Sequence, residues 1–355
     1  MLDHPSSINS VAWHPLKPSL LVGGSFDGEL VLWDLASGSP DEPMVSVISE
    51  LSSKEPITSL QWVFDPALNT YLIAAVSTDG KLLLWDPGNM LKWPVRGFLL
   101  RSRGTKSTGS KAYPTAHGGA SLAFSGSAAT KSKWALVGQQ GGNILRCQAS
   151  KLFSGPLISE DSLKSDQLSY LQFRGEDVSF AFVPHVGMVS AVSFSPFHRS
   201  IFLSAGLDGI VRIFHVLESR PLLEWEPAFN SSDGVCAVTA AEFSPTRPTV
   251  FAVGLADGRL LIYDLSFSTS APASELKVTP PTPVSSTSRK NDHRVSPVTG
   301  LSFNRKQRDL LAACDSSGAV CVWKLSWNLT VRRANDLSVL DSLAKSVSSE
   351  ESRGS

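Results

Sequence analysis

Histidines and cysteines are the residues of this 355-residue chain that would most readily carry chemistry, as acid–base groups, nucleophiles or metal ligands. The candidates are His4, His14, His117, His185, His198, His215, His293, Cys147, Cys236, Cys314 and Cys321. No two cysteines form a CxxC pair, so their spacing predicts neither a zinc site nor a disulfide framework. No nucleophile elbow, zinc-protease motif or phosphate-binding loop accompanies the histidines. We therefore predict a non-enzyme without cofactor or metal.

Most histidines instead lie near the starts of repeated strand units or near turns. The Gly-rich segment Gly138–Gly142 is a hairpin turn by its context, since no helix pattern follows it. We interpret His117 and His185 as structural residues that hydrogen-bond within their own unit. The absence of a catalytic set favours a protein that binds other proteins.

The unit that positions these residues recurs six times along the chain. The pattern is an alternating run ending in an aromatic, a second apolar strand, a tight turn containing glycine, and a third strand that ends in an aromatic residue and often aspartate, except in the third copy, which ends at Cys147. The third copy is the weakest. The turn glycines are Gly28, Gly80, Gly142, Gly209, Gly258 and Gly318.

Short apolar strands with period-two alternation and turn signals at this spacing predict an all-β fold, a WD40 β-propeller. We count six clear blades of an expected seven, followed by a short C-terminal helix. The literal or looser WD positions are predicted to serve core packing and turn geometry. They are Trp33, Asp34, Trp85, Asp86, Tyr263, Asp264 and Trp323.

Two segments rich in Ser, Thr, Pro and basic residues, about 98–115 and 266–293, are predicted to be mobile linkers within a propeller spanning residues 1–330. Residues 150–180 must then supply the outer strand of the third blade, near Leu168–Phe173. Residues 331–355 are predicted to form a helix and a disordered tail. Leu337, Leu340 and Leu343 share one face of that helix, which packs on the propeller or grips a partner.

Charge is balanced overall, with 32 basic and 32 acidic residues, and nothing in that total favours nucleic acid. Between Asp86 and Glu160, however, the sequence contains ten basic residues and no acidic ones. This stretch is either a basic face that meets an acidic partner or a solvated loop whose charges never converge. The candidate contact residues are Arg96, Arg101, Arg103 and Lys106, with Leu340 and Leu343 of the closing helix. The sequence contains no run of 18 apolar residues and therefore predicts no membrane span.

The repeat units, taken in their order along the chain, resemble those of the dynein intermediate chain family over about residues 4–345. HPSSINSVAWHPLKPSLLVGGSFDGELVLWDL resembles a blade of that family, as does the unit containing Ser77–Lys81 and Asn89–Leu91. ALVGQQGGNILRC is similar to the family's degenerate blade, and ANDLSVLDSLAKSV fits its closing helix. The long interrupted linkers resemble most the cytoplasmic dynein 2 intermediate chains of retrograde intraflagellar transport, with dynein 1 and axonemal chains as open alternatives.

This resemblance implies a scaffold subunit that binds a dynein heavy chain, alongside other intermediate and light chains, in the cytoplasm, on the cytoskeleton and at the cilium and its base. We expect the family's N-terminal light-chain segment to be absent from this form, and the seventh blade to lie either upstream in a longer form or hidden in a linker. The alternative function is a WD-repeat adaptor of another complex, such as a ubiquitin-ligase substrate receptor or a chromatin scaffold.

Overall fold

The computed structural model describes residue 2 and residues 4–36, 42–100, 118–126, 132–154, 157–158, 171–173, 181–227, 236–278 and 296–351. The chain forms two compact units, Met1–Pro184 and His185–Ser355. In each unit, short strands form three separate sheets, one for each sequence repeat. The expected all-β fold with six blades and a C-terminal helix is therefore confirmed.

The first unit holds blades 1 to 3. Blade 1 contains β1 (Ile8–Trp13), β2 (Leu20–Ser25), β3 (Leu30–Asp34) and β4 (Met44–Val45). Blade 2 contains β5 (Ile57–Asp65), β6 (Thr70–Ser77), β7 (Lys81–Trp85) and β8 (Pro94–Leu100), with a turn of 3-10 helix at Pro87–Asn89. Blade 3 contains β9 (Gly119–Phe124), β10 (Trp134–Gln139) and β11 (Ile144–Gln148), followed by α1 (Ala149–Ser154) and by β12 (Leu171–Phe173) further along the chain.

The second unit holds blades 4 to 6. Blade 4 contains β13 (Val189–Phe194), β14 (Ile201–Gly206), β15 (Val211–His215) and β16 (Pro221–Trp225). Blade 5 contains β17 (Val238–Phe243), β18 (Val250–Leu255), β19 (Arg259–Asp264) and β20 (Ser274–Lys277). Blade 6 contains β21 (Val298–Phe303), β22 (Leu310–Asp315) and β23 (Val320–Lys324), followed by α2 (Trp327–Thr330) and α3 (Asp336–Glu351).

Tight turns join the second and third strands of every blade. All six turn glycines adopt positive φ angles between 78° and 86°, a region that disfavours residues with a Cβ. At Gly28 the space is restricted as well, because an added Cβ would lie 2.7 Å from the Ser53 carbonyl oxygen. The spacing of these glycines therefore reports the blade spacing directly.

Successive blades within a unit pack face to face, which explains why their middle strands are apolar on both sides. Val22 and Leu32 of blade 1 meet Leu60 and Trp62 of blade 2 in one buried cluster. Blades 2 and 3, 4 and 5, and 5 and 6 bury equivalent clusters. Burial of this apolar surface is the main term that stabilises each stack.

A polar contact recurs at three of these interfaces. The side chain just before an aromatic residue in the first strand of one blade accepts a hydrogen bond from the backbone N–H of an aromatic residue in the first strand of the next blade. The pairs are Gln61 with Phe124 at 3.1 Å, Ser193 with Phe243 at 3.3 Å, and Glu242 with Phe303 at 3.0 Å.

The expected outer strand of blade 3 lies elsewhere. β12 runs parallel to β8 at the outer edge of blade 2, with Leu171 opposite Phe98. Directly after β11 the chain forms α1, whose Leu152 and Phe153 are buried against blades 2 and 3. The apolar side chains after β11 are thus buried by a helix, and the later strand pairs with the neighbouring blade.

Parts of both predicted linkers are ordered strands. Residues 98–100 end β8, and residues 274–277 form β20, which pairs with β19. Val278 after β20 is fully buried. Composition misled the prediction because an edge strand needs few apolar residues when its backbone hydrogen bonds are satisfied. The linker residues 101–115 and 279–293 lie outside the described residues.

The WD positions have packing and turn contacts. Trp33, Trp85 and Tyr263 are buried, and Trp323 is half-buried. Asp34 accepts from the Ala36 N–H at 3.0 Å, and Asp86 accepts from the Gly88 N–H at 2.8 Å. These carboxylates close the turns that follow their strands.

Candidate protein-interaction surfaces

His185 is the centre of a buried polar network in blade 4. Its Nδ1 lies 3.0 Å from both oxygens of Asp208, and its Nε2 lies 2.9 Å from the Ser204 hydroxyl. Because a carboxylate only accepts, Nδ1 carries the proton and Nε2 accepts from Ser204. Burial lowers the pKa of His185 and outweighs the opposing effect of the Asp208 carboxylate, so the imidazole is neutral.

This serine, histidine and aspartate set is structural. Ser204 is fully buried inside β14, and His185 is 3% exposed, so no substrate reaches the hydroxyl. The network leaves no space for a larger residue beside it, since a Cβ at Gly206 would lie 2.5 Å from the His185 Nδ1. The prediction for His185 is confirmed; His117 lies outside the described residues.

Arg96, the first basic contact candidate, is not on the surface. Its side chain is 3% exposed, and its guanidinium donates to Asp65 Oδ2 at 2.5 Å within blade 2. A buried carboxylate needs a cation close by, and Arg96 supplies it. The prediction of Arg96 as an exposed partner contact is therefore wrong.

Five other members of the basic stretch fall into two groups. Arg101, Arg103 and Lys106 lie outside the described residues. Lys133 and Arg146 lie over the Trp134 ring, 5.9 Å and 5.1 Å from its centroid. Cation–π contacts of this kind cover a tryptophan at the surface of blade 3.

The two leucines of the closing helix face inwards. Leu340 is fully buried, and Leu343 packs beside it against the apolar cluster of blades 4 and 5. The helix must cover its apolar stripe, and the edge of these blades offers the complementary surface. The prediction of Leu340 and Leu343 as partner contacts is wrong, and the alternative that the helix packs on its own fold is confirmed.

Arg247 holds the start of this helix against blade 5, and its sequence context gives no signal of this contact. Its fully buried guanidinium lies 3.0 Å from Asp336 Oδ2 at the start of α3 and 2.9 Å from Asp264 Oδ2 at the end of β19. It also donates to the Ser266 hydroxyl at 2.8 Å and to the Asn328 carbonyl. Burial acts to raise the pKa of Asp336, but the hydrogen bonds from Arg247 and from the Arg333 N–H, together with the charges of both arginines, outweigh it and the pKa is lowered.

Around this buried arginine lies an exposed surface of mixed character. Phe267 is 79% exposed and Trp327 is 75% exposed, next to two of the groups that bind Arg247. Arg332 and Arg333 are exposed just before α3. We name these four residues the aromatic–arginine surface. A bulky aromatic within a polar, repeat-free segment was the sequence signal that could have revealed it.

Blade 1 carries an exposed apolar face in the first unit. Val11 and Trp13 on β1 are 60% and 55% exposed. A surface pocket of about 320 Å³ beside them is lined in part by Ile8, Leu21 and the buried Trp33, whose Nε1 has no hydrogen-bond partner in the described part of the chain. In the second unit, Val320 and Val322 on β23 are likewise exposed.

Within the described ranges, no group of three or more His, Cys, Asp or Glu side chains is placed to hold a metal ion, and all four cysteines are free. None of the helices there combines the length and apolar character needed to cross a membrane.

A family model described as WD domain, G-beta repeat, matches residues 1–34 and 177–215, the regions of blades 1 and 4. Among solved structures, the computationally designed Ika8 protein is similar with a TM-score of 0.51 at 19% identity, over 91% of this chain and 72% of that one. At this identity the likeness concerns the fold alone.

Curated relatives are similar over nearly the whole chain. Cytoplasmic dynein 2 intermediate chain 2 is 32% identical in Mus musculus and 30% identical in Homo sapiens, over 97% and 98% of this chain. A flagellar outer-arm dynein intermediate chain of Chlamydomonas reinhardtii is 27% identical over 92% of this chain and 42% of its own length. The chain spans about 60% of the length of the two dynein 2 relatives. The chain is therefore similar along nearly its whole length to dynein intermediate chains, and two of its six blades match the WD-repeat model.

Proposed function

We propose that this chain is a non-catalytic scaffold subunit of a dynein motor complex, and that its blades bind the tail of a dynein heavy chain. The observation that carries the proposal is the similarity to cytoplasmic dynein 2 intermediate chain 2, which runs through all six blades and the closing helix. In this function the blades and the segment just before α3 present the binding surfaces, and α3 stabilises the second unit by packing on blades 4 and 5.

The architecture suits such a function because packed blades hold their loops rigidly. Shared apolar clusters and the recurring side chain to backbone hydrogen bonds fix each blade against the next within a unit. A preorganised surface loses little conformational entropy on binding, which favours a stable subunit contact.

The test is affinity purification of the tagged chain from ciliated cells, followed by quantitative mass spectrometry. We expect a dynein heavy chain to be enriched at near-equal stoichiometry, together with other intermediate and light chains. An unrelated WD40 protein with the same tag is the control. Recovery without any heavy chain contradicts the proposal, and enrichment of ubiquitin-ligase or chromatin subunits instead favours the adaptor alternative.

The finer part of the proposal is retrograde intraflagellar transport, with the protein in the cytoplasm, on the cytoskeleton, in the cilium and at its base. Removing a retrograde motor leaves outward delivery intact, so transport particles should accumulate at ciliary tips. We expect this phenotype on depletion, and rescue by the tagged chain co-expressed with the heavy chain. Cilia with normal particle distribution after depletion would exclude this transport role.

A further inference from the structure

Two segments distant in sequence meet on one guanidinium in the second unit. Arg247 donates to the Ser266 hydroxyl, which precedes Phe267, and to the carbonyl of Asn328, which follows Trp327. Because Arg247 is fully buried and also binds Asp264 and Asp336, both segments are fixed to the same point of the fold. Phe267 and Trp327, the two most exposed aromatics in the described part of this unit, therefore belong to one local surface.

The backbone at both aromatics is ordered. The Phe267 N–H donates to the Asp264 carbonyl at 3.0 Å, and the Trp327 carbonyl accepts from the Val331 N–H at 3.1 Å. Their side chains nevertheless remain 79% and 75% exposed. Exposed tryptophan and phenylalanine on a rigid backbone are typical of binding hot spots, because their large apolar area becomes buried at little entropic cost.

Charge at this surface is positive. Arg332 and Arg333 are exposed, and neither side chain forms an ion pair in the part of the chain that the structure describes. Arg333 acts electrostatically on Asp336, but that carboxylate is already bound by Arg247. Two arginines beside exposed aromatics complement a partner that carries carboxylates next to apolar side chains.

A pocket of about 310 Å³ completes the surface. Its lining residues are Ser266, Arg333, Ala334, Asn335, Asp336 and Val339. It connects the segment before Phe267 with the start of α3, and its volume accommodates one bulky apolar side chain. A pocket beside aromatic anchors is the usual place for a partner's own anchor residue.

We propose that the aromatic–arginine surface docks an acidic segment of the heavy-chain tail that inserts an apolar side chain into this pocket. The inference rests on the proposed function and adds the site and the chemistry of the partner segment. Apolar contacts with Phe267 and Trp327 supply affinity, and the two arginines orient the acidic segment and speed its association.

The test measures binding of the full chain to a recombinant heavy-chain tail by biolayer interferometry. One variant combines Phe267→Ala with Trp327→Ala, and a second combines Arg332→Glu with Arg333→Glu. We expect each to weaken binding by about tenfold or more. All four side chains are exposed, so circular dichroism and thermal unfolding should match the parent chain.

Matched controls use an exposed aromatic and an exposed arginine elsewhere. Phe26→Ala changes a 58% exposed turn residue of blade 1, and Arg308→Glu changes an exposed arginine of blade 6. Both should bind as the parent chain does. Added salt should weaken the parent complex and have less effect on the Arg332→Glu/Arg333→Glu variant.

The outcomes separate this inference from the function on which it rests. If the parent chain binds the tail and both double variants bind within twofold of it, the surface is wrong and the proposed function stands. If the parent chain fails to bind the tail, the proposed function and the inference both fail. Selective loss in the two double variants supports both.

Discussion

Each unit contains a buried arginine that binds aspartate, but the two arginines stabilise different parts of the fold. Arg96 in blade 2 binds Asp65, 31 residues away in the same sheet. Arg247 in blade 5 binds Asp264 of its own sheet and also Asp336, 89 residues away at the start of α3. The first pair ties a blade to itself, whereas the second makes an appended helix part of the fold.

This difference teaches how a repeat protein adds a non-repeating element. A blade needs no distant residue to satisfy its backbone, because its strands pair with each other. A helix after the last blade stays attached only if it buries its apolar stripe and its first turn finds a partner. Leu340 and Asp336 meet these two requirements.

The largest effect is expected for Arg247→Met, which leaves two buried carboxylates without a cation. We expect the free energy of unfolding of the second unit to fall by about 4 kcal/mol. Urea unfolding measures that loss, and hydrogen exchange should show residues 336–345 losing protection. Full protection of α3 in the variant would contradict the assignment of Arg247 as its anchor.

Arg96→Met should lower the free energy of unfolding by less, about 3 kcal/mol, because one carboxylate rather than two loses its partner. The loss should appear in the first unit, with exchange protection of α3 unchanged. Asp65→Asn combined with Arg96→Met should recover part of the stability, since the buried charge is then gone. A double variant less stable than Arg96→Met alone would argue against the pairing.

Leu340→Ala tests the apolar half of the helix attachment. Removing this fully buried side chain should lower the free energy of unfolding by about 2–3 kcal/mol through lost burial and a cavity. Ser338→Ala, on an exposed position of the same helix, is the control and should change little. Equal stability of both variants in urea would mean that the leucine is not packed as described.

Glu242 extends the comparison to a half-buried acid that has no guanidinium bound to it among the described residues. Burial raises its pKa to about 7, against the opposing effects of the Phe303 N–H and Arg305. The folded state therefore favours the protonated acid, and stability contributed by protonation falls as the pH rises from about 4.5 towards 7. Gln61 accepts the equivalent hydrogen bond between blades 2 and 3 without this dependence.

Glu242→Gln should accordingly match the parent chain at pH 4.5 and exceed it at pH 8 by about 2 kcal/mol. The amide keeps the acceptor for the Phe303 N–H but carries no charge. Urea unfolding across this pH range provides the measurement, with Gln61→Glu as the converse variant, which should lose stability above pH 7. Parallel pH profiles for Glu242→Gln and the parent chain would show that the carboxyl is solvated.

Local signals were enough to predict the blades. Gly28, Gly209 and the other turn glycines mark hairpins because a positive φ is a property of one residue and its neighbours. Alternating apolar residues and closing aromatics identify strands for the same reason. His185 was recognised as structural from its position before the first strand of a repeat, and its partners, Ser204 and Asp208, lie within that repeat.

Neighbouring residues did not determine three features of the fold. These are the burial of Arg96, the sheet that Leu171–Phe173 joins and the contacts of the closing helix. A basic residue is expected to be exposed, and only the tertiary structure shows that Asp65 lies beside Arg96. The sequence of an edge strand does not indicate which sheet the strand joins. No residue near Arg247 in the sequence predicts its ion pair with Asp336.

The sequence by itself thus determined the repeated strands, the turns and the existence of a closing helix, because each depends on residues a few positions apart. Only the tertiary structure decided which charges are buried together, where the helix is fastened and which aromatics remain exposed around its anchor. Those features depend on the free energy of bringing distant segments together, where desolvation of Asp264 and Asp336 is offset by one shared guanidinium.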